Sequence, residues 1–148
     1  MKRQGFTLIE LLVVIAIIGL LSTLAVIALG SARVKARDSK RLADLKQVQT
    51  ALELYYTDKN DYPAGNAVNL GDTDHFCLNG SGLVTAANCG TSPYMGQVPL
   101  DPKSTADTPV YYTYTYSSSS YTVNATLEGE VSGLAAGAIK LTPSGISK

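Results

Sequence analysis

The sequence predicts an α+β fold, a long amino-terminal helix packed on a small antiparallel β-sheet. Three observations predict it. From Leu11 to Leu29 no residue is charged. After that run, Val34, Leu42, Leu45, Val48, Leu52 and Tyr55 recur at helical intervals, apart from one missing turn near Asp38. Farther along, Val110 to Tyr116 and Tyr121 to Leu127 alternate with the period of two that a half-buried strand requires.

The elements follow in chain order. Residues 1–5 form a short basic leader carrying Lys2 and Arg3. Residues 6–30 are the hydrophobic segment, long enough to cross a bilayer core of ~30 Å at ~1.5 Å per residue. No proline occurs before Pro63, so nothing breaks the chain between the apolar run and the amphipathic stretch after it. One helix is therefore expected from about Phe6 to Asp58, roughly 80 Å long by its rise. Gly19 and Gly30 are its weak points, each costing about 1 kcal/mol against alanine. Ala64 to Thr108 is rich in Gly, Asn, Asp, Thr and Pro and reads as a long loop region with one short strand. Tyr112, Tyr114 and Tyr116 share one face of the first alternating run. Tyr121, Val123, Ala125 and Leu127 share one face of the second. Ser117 to Ser120 joins them as a hairpin, and a third strand falls near Ala136 to Leu141. Residues 31–148 thus carry the amphipathic helix into a globular sheet domain. A chain of 148 residues supports one such core and not two.

Composition narrows the function. Lysine plus arginine equals aspartate plus glutamate at 12 each, so no global charge favours nucleic acid. Basic residues are sparse after Arg41. One histidine, no nucleophile elbow, no phosphate loop and no zinc spacing leave no catalytic residue, cofactor or metal to assign, and the chain reads as a non-enzyme. Asp72, Asp74 and His75 read as a solvated loop in preference to a metal site. Asp58, Asn60 and Asp61 open like a calcium loop, but Pro63 stands in it and the glycine it needs is missing. The tyrosine strand reads as a half-buried β-face over a stacking platform for single-stranded nucleic acid. Asn79 and Asn124 head formal glycosylation sequons of little weight. Arg33, Lys35, Arg37, Lys40, Arg41 and Lys46, set against Asp38 and Asp44, read as a solvated juxtamembrane face. Contact with anionic lipid or acidic neighbours is the sharper alternative. Cys77 and Cys89 are the only cysteines. Downstream of a membrane segment they read as one disulfide formed in an oxidising compartment, with two buried thiols as the alternative.

Glu10 is the anomaly. A carboxylate in a membrane helix costs about 2.5–3.5 kcal/mol near the bilayer centre, so it calls for a partner. The opening Gly5-Phe6-Thr7-Leu8-Ile9-Glu10, followed by unbroken apolar residues, resembles the class III signal of type IV pilins and type II secretion pseudopilins. Tyr55-Tyr56-Thr57-Asp58 with Tyr62-Pro63 also resembles the end of that family's helix. Val98-Pro99-Leu100-Asp101-Pro102 and Thr126-Leu127-Glu128 resemble its globular part less specifically. The resemblance implies cleavage by a prepilin peptidase between Gly5 and Phe6 and N-methylation of Phe6. It implies that Glu10 neutralises the amino terminus of a neighbouring subunit. It implies a single-pass precursor in the cytoplasmic membrane with its amino terminus inside, then an extracytoplasmic or cell-surface filament. The partners implied are other copies of the chain, the peptidase and an assembly platform in the inner membrane.

Many family members have proline where this chain has Ile27, which leaves a kink or melted stretch there open. An ordinary signal peptide cleaved after Gly30-Ser31-Ala32 is the structural rival, but the apolar run exceeds the usual ~7–15 residues and holds Glu10. Positive-inside counting of the basic residues after the run opposes the orientation; the cleavage motif and the cysteines favour it. The expected function is a structural subunit of a type IV pilus-like filament, polymerised through its hydrophobic helix. The alternatives are a type II secretion pseudopilin and a DNA-uptake minor pilin. The family's major pseudopilins carry a calcium site near the carboxy terminus. Asp101, Asp107, Glu128 and Glu130 do not match it, which tilts the reading towards a pilin.

Overall fold

The computed structural model describes residues 6–148. Gly5, Lys2 and Arg3 lie outside them. Helix α1 runs Leu8–Lys59, 52 residues, and passes through Gly19, Ile27, Gly30 and Ala32 without interruption. The chain divides into two compact units, one up to Val34 and the other from Lys35 onward.

The first unit is the apolar part of α1. Its large side chains from Leu8 to Leu29 are all exposed. Among the described residues α1 is the one helix with the length and composition to cross a membrane. The Thr23 hydroxyl donates to the Leu20 carbonyl at 2.8 Å, so the hydroxyl needs no partner outside the helix. A methyl group at Gly19 or Gly30 would meet nothing within 4 Å. Among the described residues neither glycine has a packing reason.

The second unit packs the rest of α1 on a five-stranded antiparallel sheet of order β1-β4-β5-β6-β7. The strands are β1 (Val68–Leu70), β4 (Tyr112–Ser117), β5 (Ser120–Leu127), β6 (Gly137–Thr142) and β7 (Gly145–Ser147). A two-stranded ribbon, β2 (Cys77–Asn79) with β3 (Gly82–Val84), and a 3₁₀ turn at Ala86–Asn88 fill the intervening chain. Leu45, Val48, Ala51 and Leu52 supply the helix side of the core. Tyr112, Tyr114, Tyr121, Val123, Ala125, Leu127, Ile139 and Leu141 supply the sheet side. The predicted face of β5 is buried throughout; on β4 Tyr112 and Tyr114 are buried and Tyr116 is half-buried. Tyr121 meets Tyr62 edge to face, with ring centroids 4.7 Å apart.

Two expectations are corrected. Ala64–Thr108 holds three short strands and a 3₁₀ turn, not one strand. The main sheet has five strands, not three. Strands of three residues are too short to show a period. They exist because tertiary pairing holds them: Leu78 and Met95 exchange backbone hydrogen bonds at 3.0 and 3.1 Å, and Cys77 and Cys89 form a disulfide with Cα atoms 5.9 Å apart. At the tip of the β4–β5 hairpin, Ser118 and Ser119 have φ of 43° and 63°. Residues with a side chain seldom adopt such values outside Asn and Asp.

Candidate functional site

The amino-terminal motif sits at the first turn of α1. Thr7 precedes the helix and acts as its N-cap, and Glu10 is three residues on. The Thr7 backbone N–H donates to Glu10 Oε2 at 2.8 Å and the Thr7 hydroxyl donates to the same oxygen at 2.7 Å. The Glu10 N–H donates back to Thr7 Oγ1 at 3.3 Å. This reciprocal capping box satisfies donors that a helix start leaves orphaned. It was readable in Thr7-x-x-Glu10, and a reading of Glu10 as a membrane charge alone misses it. Glu10 thus has a role within its own chain. Phe6, the first residue of the apolar segment, is 85% exposed among the described residues.

The second arrangement lies where helical periodicity skips a turn. Asp38 and Arg41 are buried, with Arg41 only 2% exposed. The Arg41 guanidinium donates Nε and Nη2 to the two Asp101 oxygens at 2.6 and 2.8 Å. Its Nη1 donates to Asp38 and, at 2.7 Å, to Glu128. Arg37 grips Glu128 with Nε and Nη2 at 2.8 and 2.7 Å, and Lys103 approaches Glu128 at 2.9 Å. Asp38 accepts the backbone N–H groups of Glu128 and Gly129 at 3.0 and 2.8 Å. Hydrogen bonds from Arg37, then Lys103 and Arg41, hold the Glu128 carboxyl well below the usual carboxylate range against burial. Burial alone would raise Asp101; hydrogen bonds from Arg41 and the Lys103 N–H outweigh it and lower that group. The solvated-face reading therefore fails for Arg37 and Arg41: they join α1 to the Asp101 loop and to the chain after β5. The signals were the missing apolar turn at Asp38 and the Asp101 and Glu128 motifs, but their pairing spans about 60 to 90 residues of sequence. Arg33, Lys35 and Lys40 are exposed.

The tyrosines complete the polar framework. Tyr112 donates to Asp44 at 3.1 Å, Tyr116 to Asp61 at 2.9 Å, and Tyr62 to Glu53 at 3.1 Å. Tyr114 donates to the Pro63 carbonyl at 2.6 Å. Burial and the Asp44 charge push the Tyr112 phenol above its ordinary value, and burial raises Asp44. On β4 the Tyr112 and Tyr114 rings are buried and Tyr116 is half-buried, as the half-buried β-face reading expects. Asp72 binds the His75 ring at 2.8 Å and caps its own loop. Among the described residues no group of three or more His, Cys, Asp or Glu side chains is placed to hold a metal ion. Asp101 and Glu128 are committed to guanidinium and ammonium groups. That arrangement does not fit a calcium ion, which would have to displace Arg41.

A family model, the prokaryotic N-terminal methylation motif, matches residues 1–31. The chain is 35% identical over 101 residues to the type II secretion system core protein G of Escherichia coli K12, spanning 68% of this chain and 67% of that one. The chain belongs to the type IV pilin and pseudopilin family. The core protein G of Pseudomonas aeruginosa is 29% identical over 101 residues, 68% of each chain. That of Klebsiella pneumoniae is 44% identical over 62 residues, 42% of this chain and 44% of the relative. No solved structure matches. As a pseudopilin-family fold, the chain pairs an exposed apolar helix with a small sheet domain.

Proposed function

We propose that the chain is a structural subunit of a type II secretion-type pseudopilus, with no catalytic role. The observation that carries the reading is α1 itself. Its large apolar side chains from Leu8 to Leu29 find no cover among the described residues, so they need lipid before assembly and other copies after it. The core protein G relatives favour a secretion pseudopilus over a surface pilus. Of the four acids whose failure to match a calcium site tilted the sequence towards a pilin, Asp101 and Glu128 are taken by Arg41.

In this reading residues 1–5 are the leader, removed between Gly5 and Phe6 by a prepilin peptidase, and Phe6 becomes the methylated amino terminus. Residues 6–30 span the cytoplasmic membrane with the amino end inside. The sheet domain folds outside, where the Cys77–Cys89 disulfide forms. In the filament Glu10 leaves its cap partly or wholly to pair with a neighbour's Phe6 ammonium, because each charge alone is costly in low dielectric. An inner-membrane platform drives assembly.

Deleting the gene tests the reading. Loss of exported proteins from the medium with surface fibres unchanged is the expected result. Loss of fibres with export intact assigns the chain to a pilus. Intact-mass measurement of membrane material should give a chain beginning at methylated Phe6; one beginning after Ala32 refutes the processing.

A further inference from the structure

The Asp38–Arg41 network differs in kind from the core below it. Among the side chains of residues 35–44, the buried ones are Asp38, Arg41 and Asp44. Leu42 is half-buried against the core, and the helix's fully buried apolar series starts at Leu45. The first two and a half turns of α1 in the globular unit are therefore held by charge. Arg37, Arg41 and Lys103 face Asp38, Asp101 and Glu128, three cations against three anions. Beside them Asp44, buried under Tyr112, marks the lower limit, with Lys40 nearby. Glu130 follows Glu128 and is exposed. The partners of the helix sit on irregular chain: Asp101 and Lys103 precede β4, and Glu128 and Gly129 follow β5.

Water decides how such a clasp opens. When a neutral set of ion pairs separates into solvent, hydration returns most of what the pairing gave. Separating the Leu45–Leu52 face from the sheet returns nothing comparable, since exposed apolar area stays unfavourable. Opening free energies inside one protein range from near zero to the global value, and the low ones fall where apolar contacts are few.

We propose that residues 35–44 of α1 form a charge-clasped strap that releases from the Asp101 loop and the post-β5 chain as a separate step, while the core from Leu45 onward stays folded. Release frees the stretch of chain between the apolar run and the core to change direction. The step itself does not depend on the filament reading.

Trypsin cleavage of the full-length chain in non-ionic micelles tests the strap. The Arg41–Leu42 bond is shielded while the clasp is shut, and the Lys140–Leu141 bond lies in β6. When opening is fast compared with cleavage, the rate at each bond tracks the open population. The expected result is cleavage after Arg41 with little urea dependence, and cleavage after Lys140 with the steep dependence of global unfolding. In Asp101→Asn/Glu128→Gln, which removes charge and keeps shape, cleavage after Arg41 should accelerate at least tenfold, whereas Val123→Ala, which weakens the core that the shut and open states share, should accelerate cleavage after Lys140 at least tenfold and leave the Arg41 rate within twofold of wild type. Equal urea dependence at the two bonds overturns the proposal. So does a Val123→Ala chain in which both bonds accelerate together, because the strap then opens only with the core.

Discussion

Glu10 has one observed role and one proposed role. In the subunit it closes a capping box with Thr7. In a filament it is proposed to meet a neighbour's amino terminus. Glu10→Ala removes both functions and would confuse them, since a lost cap costs about 0.5–2 kcal/mol by itself. Glu10→Gln keeps an acceptor for the Thr7 N–H and removes the charge. It should give a membrane-held chain that fails to polymerise, read by fractionating membranes from sheared filaments; normal polymerisation would remove Glu10 from the assembly contacts. Two core tyrosines make a second contrast. The Tyr114 hydroxyl satisfies the Pro63 carbonyl at 2.6 Å, whereas the Tyr121 hydroxyl is buried near the Glu53 carboxylate without a hydrogen bond of good geometry among the described residues. Removing a buried partner costs about 1–3 kcal/mol, while removing an unsatisfied hydroxyl costs little. Thermal unfolding should therefore place Tyr114→Phe clearly below wild type and Tyr121→Phe at or above it.

At the level of elements, the β4–β5 hairpin is built against local preference. Ser118 and Ser119 occupy left-handed conformations at the tip, where a two-residue turn favours Asn-Gly. The pairing Tyr116↔Tyr121 and Ser117↔Ser120 sets that turn from outside, with the Ser119 N–H donating to the Tyr116 hydroxyl at 3.3 Å. Ser118→Asn/Ser119→Gly should stabilise the chain by about 1 kcal/mol, the scale of a relieved left-handed strain. A rise in the thermal midpoint checks it; an unchanged or lower midpoint would mean that the serines cost the turn nothing. Helix α1 is the opposite case. Its cap, its apolar run and its amphipathic face all agree with one continuous helix, and only the strap at Asp38–Arg41 departs from an apolar stripe.

At the scale of the globular unit, stability should fall in acid for a stated reason. Asp101 and Glu128 are held below ordinary carboxylate values in the folded chain. Their contribution is complete above the unfolded-state values near pH 4 and disappears as pH drops through the lowered folded ones. Asp44 works the other way: burial raises it, so its contribution is present on the acid side and lost as pH rises through its folded value. Two lowered groups against one raised predict a net loss below about pH 4. Chemical unfolding at a series of pH values should show it, and Asp101→Asn/Glu128→Gln should flatten the profile. An unchanged acid slope in that variant would place the sensitivity elsewhere.

What is local or periodic was legible in the chain alone. The apolar run, the helical spacing of Leu45, Val48 and Leu52, the alternation of the tyrosine strand and the Gly5-to-Glu10 motif led to the α+β class, the membrane segment and the family. Hydrophobic period reports the face that a residue presents, and it does so from neighbours three or four positions away. Whatever depends on distant chain waited for the folded molecule. Folding turned Arg37 and Arg41 from a solvated face into a clasp, because their carboxylates come from Asp101 and Glu128. It also made strands of three residues at Val68–Leu70, Cys77–Asn79, Gly82–Val84 and Gly145–Ser147, which have no period to read. Such segments take their shape from the partner strand, and the fold chooses the partner.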